Sequence, residues 1–103
     1  MRKPEQGSIL KIEGIHYPCI VVSNNFFNHE GCVIVCPIIK SAVEGPLHIK
    51  MDKSKESDVD GYILCEQVRF IDLNTRHYSL ITEAPYFDIM DISDAVMSIF
   101  EYQ

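Results

Sequence analysis

A carboxylate, a guanidinium and an imidazole, each beside an amide or aromatic side chain, are the groups of this chain that could do chemistry. Glu66, Gln67 and Arg69 lie within four positions of one another, and His16 directly precedes Tyr17. A carboxylate can accept a proton, an imidazole can donate one, and a guanidinium can stabilise negative charge that develops in a transition state. This set of residue types suits acid–base chemistry at an anionic centre.

The same residues also have structural interpretations. Two apolar residues precede Glu66, so burial is expected to raise the pKa of its carboxyl into a range useful for a base. Alternatively, Glu66 and Arg69 could form an ion pair at a strand edge. His16 is predicted to lie in a turn, where a histidine is commonly only solvated.

Strand geometry restricts which of these groups can face a common groove. Side chains alternate between the two faces of a strand, so Gln67 and Arg69 are expected on one face and Glu66 and Val68 on the other, unless a bulge intervenes. If Glu66 lines the groove, Gln67 and Arg69 are expected to stabilise the fold instead.

Cysteine and histidine spacing argues against a metal site. The chain contains four of each: Cys19, Cys32, Cys36, Cys65, His16, His29, His48 and His77. None of the spacings matches a zinc motif, and the cysteines lie in or beside apolar runs. We therefore predict buried, reduced thiols, no metal ion and no cofactor.

Length and composition predict one soluble domain over residues 1–103. A chain of this size can bury one core but not two. No stretch is long and apolar enough to suggest a membrane span, and no export signal is visible at the N-terminus. These features favour a cytoplasmic location.

The formal charge of −6 is concentrated near the C-terminus, where residues 83–103 contain five acidic residues and no Lys or Arg. Because binding to phosphates depends largely on Lys and Arg, a uniformly acidic surface would argue against a nucleic-acid partner. The body of the chain is nearly neutral, which weakens that objection.

Short runs of β-branched or alternating residues predict strands separated by turns. Strands are expected at residues 8–13, 19–22, 32–36, 47–51 and 61–72, and the 19–22 and 32–36 strands should be buried on both faces. Residues 37–46 are expected to form a loop with a weak strand, and the charged residues 52–61 an exposed excursion.

The C-terminal segment has the periodicity of a helix. Apolar residues recur at the spacing of one helical face: Ile92, Ala95, Val96, Ile99 and Phe100. Asp91 is a plausible N-cap. The fold class predicted from this pattern is mainly β with a C-terminal helix, built as a small barrel or half-open sheet.

Three stretches resemble the PemK/MazF family of toxins. These are Gly-Ser-Ile-Leu at 7–10, Tyr-Pro-Cys-Ile-Val-Val-Ser-Asn at 17–24, and residues 61–76. The last is the most specific, because Glu66, Gln67, Arg69 and Asp72, followed by Arg76, match the family pattern acid-Gln-x-Arg-x-x-Asp with its trailing Arg. An apolar strand followed by Pro, at residues 33–38, is also similar to the family.

The resemblance implies a small SH3-like barrel that forms homodimers and serves as the toxin of a type II toxin–antitoxin pair. It implies partners, namely single-stranded RNA, a cognate antitoxin protein and a second copy, and metal-independent cleavage of mRNA. Glu66 corresponds to an acid of the family and is expected to be catalytic. His16 is not part of the family pattern, but it stands next to the position of the missing Arg and is expected to be catalytic as an acid or to hold the phosphate. Tyr17, Gln67, Arg69 and Arg76 are expected to bind RNA, with Tyr17 able to stack on a base.

Departures from the family pattern predict weak or absent cleavage. The family usually has Arg where this chain has Tyr17, and Thr or Ser where it has Ile39, and the loop before Tyr17 is short. The alternative hypothesis is therefore a catalytically degenerate or CcdB-like interaction domain. Against the CcdB-like form, the chain contains no Trp and lacks the terminal Trp-Gly-Ile of that relative.

Overall fold

The computed structural model describes residues 3–51 and 59–100, which form a mostly antiparallel β-structure with one C-terminal α-helix. The strands are β1 (Ser8–Ile12), β2 (Cys19–Val21), β3 (Cys32–Ile39), β4 (His48–Lys50), β5 (Tyr62–Leu64), β6 (Arg69–Asp72) and β7 (Tyr78–Glu83). A 3₁₀ helix (Phe27–Glu30) precedes β3, and helix α1 spans Tyr86–Ser98. The predicted fold class is confirmed.

Strand β3 organises the sheet because it pairs with three other strands. Its middle pairs with β2, its first half with β6, and its end with β5. Strand β1 forms a hairpin with β2, through Leu10 opposite Cys19, and also pairs with β7. Strand β4 completes the far side by pairing with β5.

Residues 61–72, expected as one strand, are two strands separated by a turn at 65–68. The reason is that β5 and β6 pair with different parts of β3: Ile63 lies opposite Ile38, whereas Arg69 lies opposite Val35. The chain must therefore leave the ladder and rejoin it. This break is the feature of the fold that matters most for the site.

Pro37 lies inside β3, which extends to Ile39, although residues 37–46 were expected to form a loop with a weak strand. Ile38 donates its backbone N–H toward the β2 side, to the Pro18 carbonyl at 2.9 Å. Successive strand residues point their N–H groups to opposite sides, so the Pro37 nitrogen faces the gap between β6 and β5. A proline is tolerated there because no ladder hydrogen bond is lost.

Strand β2 is buried on both faces, as its apolar run predicted, whereas Cys32 and Ile34 on one face of β3 are only half-buried. Alternate residues enter two separate clusters: Leu10 and Cys19 belong to the first, and Ile9 and Ile20 to the second. The first cluster also contains Val33, Val35, Ile71 and Leu73. The second cluster is covered by α1, whose Ile92 is almost fully buried.

Helix α1 begins earlier than predicted. It follows Pro85, whose backbone is extended with φ −70° and ψ 161°, and Asp91 lies in its second turn, so the predicted N-cap is wrong. Ala95 and Val96 pack against the second cluster as expected. The helix ends at Ser98, which leaves Phe100 mostly exposed.

Most of the charged excursion at 52–61 lies outside the described residues. Within the described ranges, no helix is long and apolar enough to cross a membrane.

Candidate functional site

A cleft of about 210 Å³ opens between the turn at 14–18 and the connection from β5 to β6. Its lining residues are Ile15, Tyr17, Cys19, Val35, Pro37, Gln67, Val68 and Arg69. The buried side chains form an apolar floor, whereas Tyr17, Gln67 and Arg69 are exposed at its edge. Three of the predicted RNA-binding residues are thus brought together from distant parts of the chain.

The turn at 65–68 is what allows neighbouring residues to line the same cleft. The Gln67 backbone N–H donates to the Leu64 carbonyl at 3.1 Å, so the chain turns instead of continuing the ladder. Strand alternation does not apply in a turn. The expectation that Val68 would face away from Gln67 and Arg69 is therefore wrong.

Arg69 carries a positive charge that no acidic side chain in residues 3–51 and 59–100 neutralises. The ion pair considered between Glu66 and Arg69 is absent from this part of the chain, where Glu66 pairs with His48 instead. An exposed guanidinium beside an amide and an aromatic ring can bind an anion bidentately. The cleft therefore suits a ligand with both a phosphate and a flat ring.

Cys19, in the floor of the cleft, is not a nucleophile. Burial raises the pKa of its thiol to about 11, and the nearby Arg69 guanidinium offsets this only in part. A thiol with such a pKa stays protonated at neutral pH, and the thiolate is the reactive form. Cys19 serves as an apolar wall.

Glu66 lies outside the cleft lining and is held by His48. Its Oε1 is 2.7 Å from His48 Nε2, and His48 Nδ1 contacts the Val43 carbonyl oxygen. A carbonyl oxygen and an ionised carboxylate both accept hydrogen bonds, so both imidazole nitrogens act as donors when the pair is charged. The hydrogen bonds to Val43 and to Glu66 raise the pKa of His48 above its ordinary value.

The predicted rise in the pKa of Glu66 is wrong. Partial burial does raise the pKa of this carboxyl, but the hydrogen bond from His48, a backbone hydrogen bond and the imidazole charge outweigh it. The net pKa is lowered from the ordinary value. Glu66 is therefore ionised at neutral pH but is a weaker base than the sequence suggested.

The two remaining predicted residues lie near the cleft without lining it. His16 is exposed, although both of its neighbours in the chain line the cleft. Arg76 is half-buried beside the turn at 14–18: its Nη1 lies 3.9 Å from where a β-carbon on Gly14 would be. In the described part of the chain no carboxylate pairs with Arg76.

A family model describing PemK-like, MazF-like toxins of type II toxin–antitoxin systems matches residues 5–100. The chain belongs to this toxin family. Compared by sequence with curated proteins, the MazF-like chain finds no match.

Solved structures agree with the family fold. A MazE–MazF crystal structure from Deinococcus radiodurans superposes with a TM-score of 0.85 at 20% identity, covering 97% of this chain and 98% of that one. An endoribonuclease from a mycobacterial species gives 0.81 at 18% identity, covering 97% and 93%. A mycobacterial endoribonuclease in complex with its cognate antitoxin gives 0.80 at 16% identity, covering 97% and 99%.

His48 is the residue of this MazF-like toxin that sequence reasoning missed. It faces Leu64 in the β4–β5 register, two positions before Glu66. The alternating patterns at 47–51 and 61–64 would have indicated the contact only if their pairing had been known. The charge pattern alone pointed to Arg69 as the partner of Glu66.

All four cysteines are free thiols. Cys19, Cys36 and Cys65 are buried, and burial raises the pKa of Cys36 to about 12 and of Cys65 to about 11. Cys32 is partly exposed, contrary to the prediction. In the described ranges no three His, Cys, Asp or Glu side chains are grouped so that they could hold a metal ion.

Proposed function

We propose that this MazF-like toxin binds single-stranded RNA in the cleft and cleaves it slowly without a metal ion. The observation that carries the proposal is the unneutralised guanidinium of Arg69, set beside Gln67 and Tyr17 over an apolar floor. Arg69 holds a phosphate, Gln67 donates to a phosphate or base oxygen, and Tyr17 stacks on a base. Arg76 adds positive charge beside the turn that forms one wall.

The proposed reaction uses the 2′-hydroxyl of the RNA as nucleophile. The Glu66 carboxylate accepts the 2′-hydroxyl proton, the 2′-oxygen forms a bond to phosphorus, and the bond to the 5′-oxygen breaks. His16, in its protonated form, gives that leaving oxygen a proton. The products are a 2′,3′-cyclic phosphate and a free 5′-hydroxyl, and Arg69 stabilises the charge on phosphorus in between.

The rate is expected to be low because two phosphate contacts implied by the family pattern are missing. Tyr17 supplies no cation, and Ile39 is a half-buried residue at the end of β3 that supplies no hydroxyl. Losing one preorganised donor to a transition-state oxyanion typically costs about 10²–10³ in rate. Two losses leave an enzyme that needs a high concentration to be detected.

The test is cleavage of a long single-stranded RNA by the purified chain in EDTA, with Glu66→Gln and His16→Ala as variants. We expect slow cleavage that both substitutions reduce. Cleavage that neither substitution changes would refute the site assignment.

A second candidate is a binding domain without catalysis, favoured by the engagement of Glu66 with His48 and the lowered pKa of its carboxyl. If the wild-type chain at high concentration binds the RNA without cutting it, the binding-domain hypothesis is correct and the ribonuclease hypothesis is wrong.

We also propose a homodimer and a cognate antitoxin as partners, acting in the cytoplasm where mRNA is found. The antitoxin complexes of the two solved relatives support the second partner. Several apolar side chains of the C-terminal segment are largely exposed, namely Tyr86, Met90, Met97 and Phe100, and a partner surface would cover them. Light scattering at micromolar concentration should give twice the chain mass of 11.8 kDa, and a monomer mass would exclude the dimer.

A further inference from the structure

A second cavity, of about 350 Å³, lies between the N-terminal segment, the 3₁₀ helix and the start of β7. The side chains that decide its chemistry are Lys3, Glu30, Val33, Asn74 and Tyr78. None of them lines the cleft described above. Its volume falls within the range of about 300–1,000 Å³ that is usual for small-ligand sites.

Asn74 lines this cavity and has an unused acceptor, its Oδ1, which lies beside Gly31, another residue of the lining. Its Nδ2 donates to the Glu30 carbonyl at 2.9 Å, which fixes the orientation of the amide. In the part of the chain that the structure describes, its Oδ1 accepts no hydrogen bond. A fixed amide with one free oxygen can read a donor on the edge of a base.

Tyr78 supplies an aromatic wall. Its ring packs against the first core cluster, so its position is set by the fold. Within the described residues its hydroxyl has no hydrogen-bond partner, so it can donate to or accept from a ligand. A ring fixed in this way is a suitable platform for stacking.

The charges favour an uncharged group inside and a phosphate outside. Lys3 and Glu30 are both exposed, and the Lys3 ammonium makes one long contact, 3.4 Å, with the His29 carbonyl. A phosphate held deep in the cavity would meet Glu30 as well as Lys3. A neutral nucleobase inside the cavity places no negative charge beside the Glu30 carboxylate. The phosphate of the same nucleotide then lies outside, toward the Lys3 ammonium.

The cavity and the cleft are close neighbours on β3. Val35 lines the cleft and Val33 lines the cavity, and both belong to the same core cluster. Two residues along a strand span about 6.6 Å. An RNA segment of a few nucleotides can therefore reach from one to the other.

We propose that this cavity is a second subsite that holds one unpaired base of the RNA strand whose phosphate lies in the cleft. The inference rests on the proposed RNA-binding function and adds to it a position of base preference away from the cut. The subsite selects through Asn74 Oδ1 and the Tyr78 ring and hydroxyl.

The first test is direct titration of the wild-type chain with adenosine, guanosine, cytidine and uridine, followed by NMR. At least one nucleoside at millimolar concentration should shift the Asn74 side-chain amide and the Tyr78 signals. The same shifts should persist in Arg69→Gln, which alters only the cleft, and weaken in Tyr78→Phe, which keeps the ring. No shift with any of the four nucleosides would overturn the subsite, whatever the cleft does.

The second test is selection from a random pool of 2′-fluoro RNA, which cannot be cut through a 2′-hydroxyl. Lys3→Gln should lower the steepness of log affinity against log salt concentration by about 0.7 relative to wild type. Asn74→Ser should remove the base preference at one position of the selected sequences. Lys11→Gln, an exposed lysine on β1, is the matched control and should match wild type. If Lys3→Gln and Asn74→Ser keep the wild-type slope and preferences, the subsite is wrong even where RNA binding is retained. This test measures binding of an RNA that cannot be cut, so its result does not depend on the proposed ribonuclease activity. A chain that fails to cleave RNA would contradict that activity and not the subsite.

Discussion

Glu66 and Arg69 belong to one sequence motif, yet the fold treats them in opposite ways. Arg69 faces a cleft and is neutralised by no carboxylate of the described residues, whereas Glu66 is held by His48 at 2.7 Å. The turn at 65–68 separates them, because it carries the chain from β5, beside His48 on β4, to β6, beside Val35. The Arg69 guanidinium in the cleft is therefore available to bind an anionic ligand. The charges of the His48–Glu66 pair interact with each other instead.

The largest effect should come from removing the available charge. We expect Arg69→Gln to lower kcat/KM for RNA cleavage by about 10²–10³, because the transition state loses a preorganised cation. Arg69→Lys should recover part of the loss, since it keeps the charge but not the bidentate geometry. Steady-state kinetics would measure both variants. An unchanged kcat/KM in Arg69→Gln would show that the charge in the cleft has no role in cleavage.

The next effect concerns the paired strands β4 and β5, of which β4 carries His48 and β5 leads into the turn that carries Glu66. Gly61 has φ +124°, and a β-carbon there would lie 2.6 Å from the Ile39 carbonyl oxygen. Gly61→Ala should therefore destabilise the fold by more than about 1 kcal/mol, which lowers Tm by roughly 4–8 °C per kcal/mol. Gly45→Ala is the matched control, because its β-carbon would meet His48 Nδ1 at an ordinary 3.8 Å. Equal melting temperatures for the two variants would contradict the close approach.

A smaller effect is expected in the pH dependence of cleavage. If Glu66 is the base, activity falls as pH drops through the pKa of its carboxyl, which His48 helps to lower. His48→Ala should move this acid limb of kcat/KM to higher pH, and Glu66→Gln should remove it. A limb that stays in place in His48→Ala would show that the base is another group.

The smallest effect should be the contribution of the pair to stability, because both side chains are partly exposed. The pKa of His48 is raised by folding, so its contribution is present below its unfolded pKa of about 6.5 and is lost as pH rises through the folded value. The pKa of Glu66 is lowered by folding, so its contribution is present above about 4.3 and is lost as pH falls through the folded value. The stability difference between wild type and His48→Gln should thus be greatest between about pH 4.3 and 6.5.

Urea unfolding at a series of pH values would measure that difference. His77→Gln is the matched control, because it replaces an exposed histidine outside the β4–β5 hairpin. A difference that is flat with pH would mean that the pair does not form in solution.

Much of the fold follows from local sequence pattern. Alternation at 8–13 predicted β1, in which Lys11 is exposed, and the apolar runs at 19–22 and 32–36 predicted β2 and most of β3, because one residue in two points to each face of a strand. The helical face was predicted through Ile92, which is buried against the second cluster. Its start was missed, since Asp91 suited an N-cap equally well by local criteria.

The candidate site was likewise determined in part by local sequence and in part by tertiary structure. The sequence by itself determined the family, through the motif from Glu66 to Arg76, and it determined which residue types were available. The tertiary structure alone decided that Tyr17 lines the same cleft as Gln67 and Arg69 and that His48 forms a hydrogen bond with Glu66. Strand pairing brings these residues together, and the register of a pairing depends on contacts between distant segments that no local pattern encodes.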